Sequence, residues 1–326
     1  LDSTSFYAES GGQTGDNGVI EWNGGSIEVT DTVKQGQHFV HHCELVSGRL
    51  SVGDEVQTIV NGSLRSDSAK NHSATHILHE AMRRVLGDHV TQKGSLVNPE
   101  RLRFDFSHSE PVSTEQLAVI ESMVNQEIRD NTNVGVATMA IDDAKAAGAM
   151  ALFGEKYGDE VRVVTMGTTA QVDAKEASTV FSLELCGGTH VNRTGDIGAF
   201  VITSESGVAS GVRRVEALTG AAASNWLAVT GKTLAAVSSL VKAGREQVAD
   251  KVHNLIETNK QLERELDFLK AKMAASQGAD LVSEAKVING VTVLISQLEG
   301  VEPKLLRDAM DQLRNKLGSA VVMLAV

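Results

Sequence analysis

The chain has 326 residues, 41% of them hydrophobic, enough for two or three domains with buried cores. Its formal net charge of −12 speaks against binding nucleic acid through a general basic surface. No apolar run approaches the ~18 residues of a membrane helix, no secretory leader opens the chain, and Cys43 and Cys186 make no disulfide framework, which points to a reducing, cytoplasmic setting.

Residues 1–62 are rich in glycine and β-formers. Ser26-Ile27-Glu28-Val29 and residues 55–60 alternate, and Asn17-Gly18, Asn23-Gly24-Gly25 and Val52-Gly53-Asp54 supply turns, so a small β-barrel or sandwich is predicted. The glycine-rich stretch at 6–16 reads either as a tight turn or as a loop whose bare backbone approaches a ligand. A helix is predicted over 67–86. Residues 65–103 hold seven basic side chains against four acidic ones, which on charge alone reads as a solvated helix face. Leu102-Arg103-Phe104-Asp105-Phe106 alternates as a strand. Ser113 and Gln116 form a capping box ahead of Leu117, Ile120, Val124 and Ile128 at helical spacing. Residues 161–166 and 181–186 read as strands. In the second, Phe181, Leu183 and Leu185 share a face, so Cys186 points to the other.

From about 221 to 277 there is no proline, and a series of positions from Leu234 to Met273, apolar except at Gly244 and Asn259, steps by three or four. A long helical hairpin or coiled coil is predicted, its turn near Gly244. Residues 278–326 read strand, helix, strand, with the helix over 302–317. That is too little to close a layer. With no initiator methionine and an apolar run over 319–326, the chain reads as a piece of a longer protein.

Two pairs of residues carry chemistry. His72 and His76, four apart, lie on one helix face. Alone the pair is a weak sign, since satisfied core histidines are common. Cys186-Gly187-Gly188-Thr189-His190 places a thiol and an imidazole on either side of a glycine turn. Three nitrogens and one sulfur are a set that zinc prefers, and the two pairs together are far more specific than either. His79-Glu80 begins like a zincin motif, but position 83 is Arg, so His79 reads as a supporting or core residue. His41-His42-Cys43 reads as surface histidine beside buried cysteine. Lys93-Gly94-Ser95 lacks the glycine loop of a Walker A motif, and there is no Gly-x-Ser-x-Gly elbow.

Taken in order, Phe6-Tyr7-Ala8-Glu9-Ser10-Gly11-Gly12-Gln13, Asn71-His72-Ser73-Ala74-Thr75-His76, Gln92-Lys93-Gly94-Ser95-Leu96-Val97, the strand at 102–106, residues 148–158, the Cys186 to His190 turn and residues 212–220 resemble the alanyl-tRNA synthetase family and its free-standing editing relatives. The resemblance covers nearly the whole chain. It implies a multidomain α+β fold: a β-barrel subdomain (1–62), an editing deacylase domain (63–206), a linker and helical or coiled-coil segment (207–277) and a truncated C-terminal α/β domain (278–326). It implies hydrolysis of Ser-tRNA(Ala) and Gly-tRNA(Ala), with His72, His76, Cys186 and His190 as ligands of Zn2+ and Gln92 beside the pocket. Thr4 and Gln13 join Gln92 as candidates for reading the serine hydroxyl or the ester. The C-terminal part is expected to contact the outer corner of tRNA(Ala), and the resemblance admits a homodimer through it. The aminoacylation domain is absent, so no charging of tRNA is expected. Two departures stand out: Ser5 where the family often has proline, and a longer segment over 168–180, expected as a surface loop. The rival reading is a tRNA-binding module with purely structural zinc, in which Arg213 and Arg214 clamp phosphate.

Overall fold

The computed structural model describes residues 1–150, 158–169, 179–297 and 306–325. They divide into two compact units, Leu1–Thr230 and Gly231–Val326. Residues 151–157 of the 148–158 motif, most of the expected loop at 168–180, and the predicted helix start at 302–305 lie outside the described residues.

The first unit begins with four antiparallel strands, β1 (Gly18–Trp22), β2 (Gly25–Gln35), β3 (His38–Ser47) and β4 (Val56–Val60), in the order β3-β2-β1-β4. Phe6, Ile20 and Val29 form their small core. Among the described residues no pairing joins β3 to β4, so the sheet stays open where a barrel was expected. Four strands fall well short of the roughly eight that enclose a filled interior. Edge strand β3 is mostly exposed, and Cys43 on it is exposed rather than buried, which corrects the sequence reading.

Helix α1 (Gly62–Leu86) starts earlier than its apolar periodicity suggests, because Asn61 caps it: the Asn61 side chain accepts from the Leu64 N–H at 3.3 Å. Strands β5 (Gln92–Val97) and β6 (Leu102–Ser107) follow, then α2 (Thr114–Asp130), β7 (Gly135–Ala140), α3 (Ile141–Ala146), β8 (Glu160–Thr169), β9 (Thr179–Leu185), a 3-10 turn at Thr194–Ile197, β10 (Phe200–Ala209) and β11 (Val212–Thr219). They build two sheets, β10-β11-β6-β5 and β7-β8-β9. Helix α1 touches strands of both, and from Asn71 to His79 every residue is buried. An amphipathic surface helix shows one apolar stripe. This one is enclosed all round, so its polar residues need partners inside the protein.

The main core joins Ile77, Leu78 and Met82 of α1 to Leu102, Phe104 and Phe106 of β6, Ile120 and Val124 of α2 and Val215 of β11. Each large apolar side chain so buried contributes roughly 1.5–3 kcal/mol. The predicted capping box on α2 is present: Ser113 accepts from the Gln116 N–H at 3.2 Å, and the Gln116 side chain accepts from the Ser113 N–H at 2.9 Å. Ser113→Ala should therefore cost about 1 kcal/mol, read as a lower denaturant midpoint at unchanged slope. An unmoved midpoint would show that the box contributes nothing.

Helix α4 (Gly220–Val241) runs on from β11. It is followed by a break in which Lys242 has φ 52 and Gly244 caps the 3-10 turn Arg245–Gln247, close to the predicted turn. Helix α5 (Val248–Asp280) follows. Leu255, Leu262, Leu266, Leu269 and Met273 of the predicted seam are exposed along it, so within this chain the stripe is not the buried seam of a coiled coil. The second unit ends in β12 (Lys286–Ile288), β13 (Val291–Gln297), α6 (Leu306–Leu317) and β14 (Ala320–Ala325). The sheet order is β12-β13-β14, with β13 and β14 parallel, over a core of Leu281, Leu294, Ala309 and Leu313. At three residues, β12 is too short to show alternation in the sequence. Among the described residues no helix is long and apolar enough to cross a membrane.

Candidate metal centre

The spacing of four sets the imidazoles of His72 and His76 one turn apart on α1, their rings stacked with centroids 5.1 Å apart. Cys186 leaves the end of β9, and the glycine turn brings His190 back over the same helix face. One ligand atom from each of His72, His76, Cys186 and His190 can be chosen so that all lie within 4.8 Å of one another, a group that could hold a metal ion. Cys186 Sγ is 3.4 Å from His72 Nε2 and 3.3 Å from His190 Nε2.

Each imidazole is held at its other nitrogen. His72 Nδ1 meets Gln13 Oε1 at 2.7 Å, His76 Nδ1 meets Glu184 Oε2 at 2.6 Å, and His190 Nδ1 meets Ser73 Oγ at 3.2 Å. Metal-ligating histidines almost always have such an outer partner, which fixes ring orientation and raises basicity. His76 Nε2 is buried and has no hydrogen-bond partner in the protein. A divalent cation at the centre of the four groups would take the place of a proton at this nitrogen, so the residues fit a metal.

The electrostatics agree. Burial opposes a charged thiolate, but the charges of His72 and His76 and the hydrogen bonds from His190 and His72 outweigh it and bring Cys186 down to about 2. Burial likewise opposes charge on His76, but Glu184 and Cys186 hold it up at about 10. His190 is lowered to about 3 by burial and by the nearby charge of His72, against the pull of Cys186. A ready thiolate among crowded imidazoles is a setting that a divalent cation relieves.

Glu184 escaped the sequence reading. Its carboxylate is buried between His76 Nδ1 and, at 3.0 Å, His79 Nδ1, so His79 supports the site through it. The signal was available: Glu184 precedes Cys186 by two residues and so shares its face of the strand. Glu184→Gln removes the charge that holds both rings. It should weaken metal binding about 10- to 100-fold, measured by competition with a chromophoric chelator; unchanged affinity would make the carboxylate a packing element only.

Of the other sequence candidates, only Gln13 touches the four-residue group. Gln13 is fully buried against His72 and Thr189. Gln92 is half-buried at the start of β5. Thr4 lies elsewhere, its Oγ1 2.8 Å from His41 Nε2. The basic residues between 65 and 103 are largely paired: Arg65 with Asp16, Arg83 with Asp88, Arg84 with Glu80, Arg101 with Glu216 and Arg103 with Asp105. Arg213 and Arg214 are each engaged by both oxygens of a carboxylate, Glu205 and Asp105 respectively, so neither guanidinium is a free phosphate clamp.

The strand-borne Cys–His turn lies in a segment similar to a known accessory domain of tRNA synthetases. Residues 161–216 match the family described as the threonyl and alanyl tRNA synthetase second additional domain, and residues 1–64 match the tRNA synthetases class II (A) family. Along its full length the chain is related to alanine–tRNA ligases. It is 53% identical over 325 residues to that of Saccharophagus degradans and 52% identical over 326 residues to that of Pseudoalteromonas translucida. Each alignment covers 100% of this chain and 36% of the relative, so the chain spans about a third of their length.

Proposed function

We propose that this chain hydrolyses the aminoacyl ester of mischarged Ser-tRNA(Ala) and Gly-tRNA(Ala) at a zinc site made by His72, His76, Cys186 and His190. The observation that carries the reading is the convergence of these four groups within 4.8 Å in a chain related throughout to alanine–tRNA ligases. The need for such a step is physical. A pocket shaped for alanine cannot exclude glycine by size, and a hydroxyl adds little bulk, so serine enters too. One small group is worth only ~1–3 kcal/mol of discrimination, and a second, hydrolytic site makes up the difference.

The ester would be cleaved by attack of water, and zinc when bound would supply a Lewis acid that activates that water or would hold the substrate amino group. The residues do the rest. Gln13, Glu184 and Ser73 hold the three rings in place, and burial of His72, His76 and Cys186 sets the centre in a low-dielectric surrounding where its charges act more strongly. Gln92 is assigned to the pocket wall by its motif. We assign editing to residues 63–206 and tRNA contact to the C-terminal part. The exposed stripe on α5 supports docking of a second copy there.

Four protein ligands also suit a closed structural site, which favours the second reading, a tRNA-binding module without turnover. The deciding experiment is multiple-turnover deacylation of Ser-tRNA(Ala), before and after chelation and with zinc restored. Turnover that chelation abolishes and zinc restores supports the hydrolase. Tight tRNA binding with no turnover supports the module, and Ser-tRNA(Ala) hydrolysis unaltered by both Cys186→Ala and Gln92→Ala removes the proposed site.

A further inference from the structure

We infer that Gln13 is a positioning residue of the metal centre: its side-chain carbonyl fixes His72 with Nδ1 protonated and Nε2 turned to Cys186, and ties that ring to the Cys186–His190 turn. For the metal this rests on the reading above; for the state of the His72 ring it does not.

Gln13 is 0% exposed. One end of its amide lies 2.9 Å from the Thr189 backbone N–H. A backbone N–H can only donate, so the atom facing it is the carbonyl oxygen, and the orientation of the amide is settled. The same oxygen lies 2.7 Å from His72 Nδ1. A carbonyl oxygen can only accept, so Nδ1 carries a hydrogen. In the neutral ring the lone pair is then on Nε2, which lies 3.4 Å from Cys186 Sγ. The Gln13 amide N–H₂ donates to Thr189 Oγ1 at 2.8 Å. Both lone pairs of the carbonyl are thus committed, one to each half of the ligand set, and Gln13 acts through His72 and the turn rather than on substrate.

The backbone is arranged to deliver this one side chain. The Gln13 N–H donates to Ser10 O at 3.0 Å, the Thr14 N–H to Val97 O at 3.0 Å and the Val97 N–H to Gly12 O at 2.7 Å, which fastens the loop to the end of β5. Gly12 has φ +86, and a Cβ there would come within 2.5 Å of the Ser95 carbonyl oxygen. At Gly12 the glycine-rich loop therefore packs directly on β5, and the glutamine after it reaches across to the centre. Gln13 is 59 residues from His72 and 176 from Thr189, so a third segment of chain locks the two that supply the ligands.

The test uses the whole chain stripped of metal. Cobalt(II) is the probe, read by its thiolate-to-metal absorption, and histidine-selective 15N NMR of the metal-free protein reads the ring. Gln13→Leu should bind cobalt about 10- to 100-fold more weakly and lose the fixed Nδ1–H form of His72. Gln13→Glu should restore most of the affinity, because a carboxylate accepts from both N–H groups. Cobalt binding in Gln13→Leu equal to that of the unsubstituted chain overturns the inference, as does an unprotonated Nδ1 on His72 in the unsubstituted protein. The second measurement needs no variant to fold. If the unsubstituted chain takes up no cobalt, the metal reading falls, and the ring state still decides whether Gln13 fixes His72.

Discussion

Cys186→Ala should reduce bound zinc from near-stoichiometric to near zero and lower Ser-tRNA(Ala) deacylation by at least about 100-fold, since a metal supplies several kcal/mol of transition-state stabilisation. The thiolate is the only anionic group in the four-ligand set, and it sits 3.3–3.4 Å from two of the imidazole nitrogens. Without it, three imidazoles face one another with no negative partner among them. A cation must then be held by neutral nitrogens alone in a buried site, where the missing charge is least screened. Cys43→Ala is the control. Cys43 is exposed on β3 and takes no part in the cluster, so both zinc content and rate should be unchanged. Metal analysis after gel filtration and a deacylation time course check both, with circular dichroism to verify the fold. Full zinc content in Cys186→Ala would remove the sulfur from the site.

The two candidate ligand pairs were legible in the sequence because each pair is local. A spacing of four on a helix and a glycine turn between Cys186 and His190 are short-range patterns with a geometric meaning. That the pairs meet was legible only through the family resemblance, since no periodicity reports a contact across the 114 residues between His72 and Cys186. The capping box of α2 and the strands β6, β8 and β9 followed from alternation and caps. What failed has physical causes. The Asn61 cap precedes the apolar pattern and so lengthened α1 unseen. Cys43 looked buried by residue type, but β3 is an edge strand with little packed over it. Closure of the first sheet depends on pairing between its ends, which alternation within single strands does not encode. Glu184 was missed because a glutamate in an apolar strand looks solvent-facing until the histidines 108 and 105 residues before it are brought beside it.

Gly188→Ala should disable the centre while Gly187→Ala, one residue away, leaves it intact. At Gly187 an added Cβ meets nothing within 4 Å. At Gly188 it would overlap the His72 ring and lie 2.8 Å from Gln13 Oε1. Neither position has the left-handed backbone that demands glycine, so the difference is one of space rather than conformational freedom. The crowded side has no slack. His72 is buried on a helix enclosed all round, and Gln13 is bound to it and to Thr189. Either the ring turns off its bond to Gln13 or the turn lifts away from α1, and in both cases His72 and Cys186 lose their common centre. Displacement of about 1 Å costs roughly 100-fold in such sites, so cobalt affinity and deacylation should both fall by at least about that factor in Gly188→Ala. Equal behaviour of the two alanine variants, whether both active or both dead, would mean that the turn is not packed against His72 as tightly as the steric argument requires.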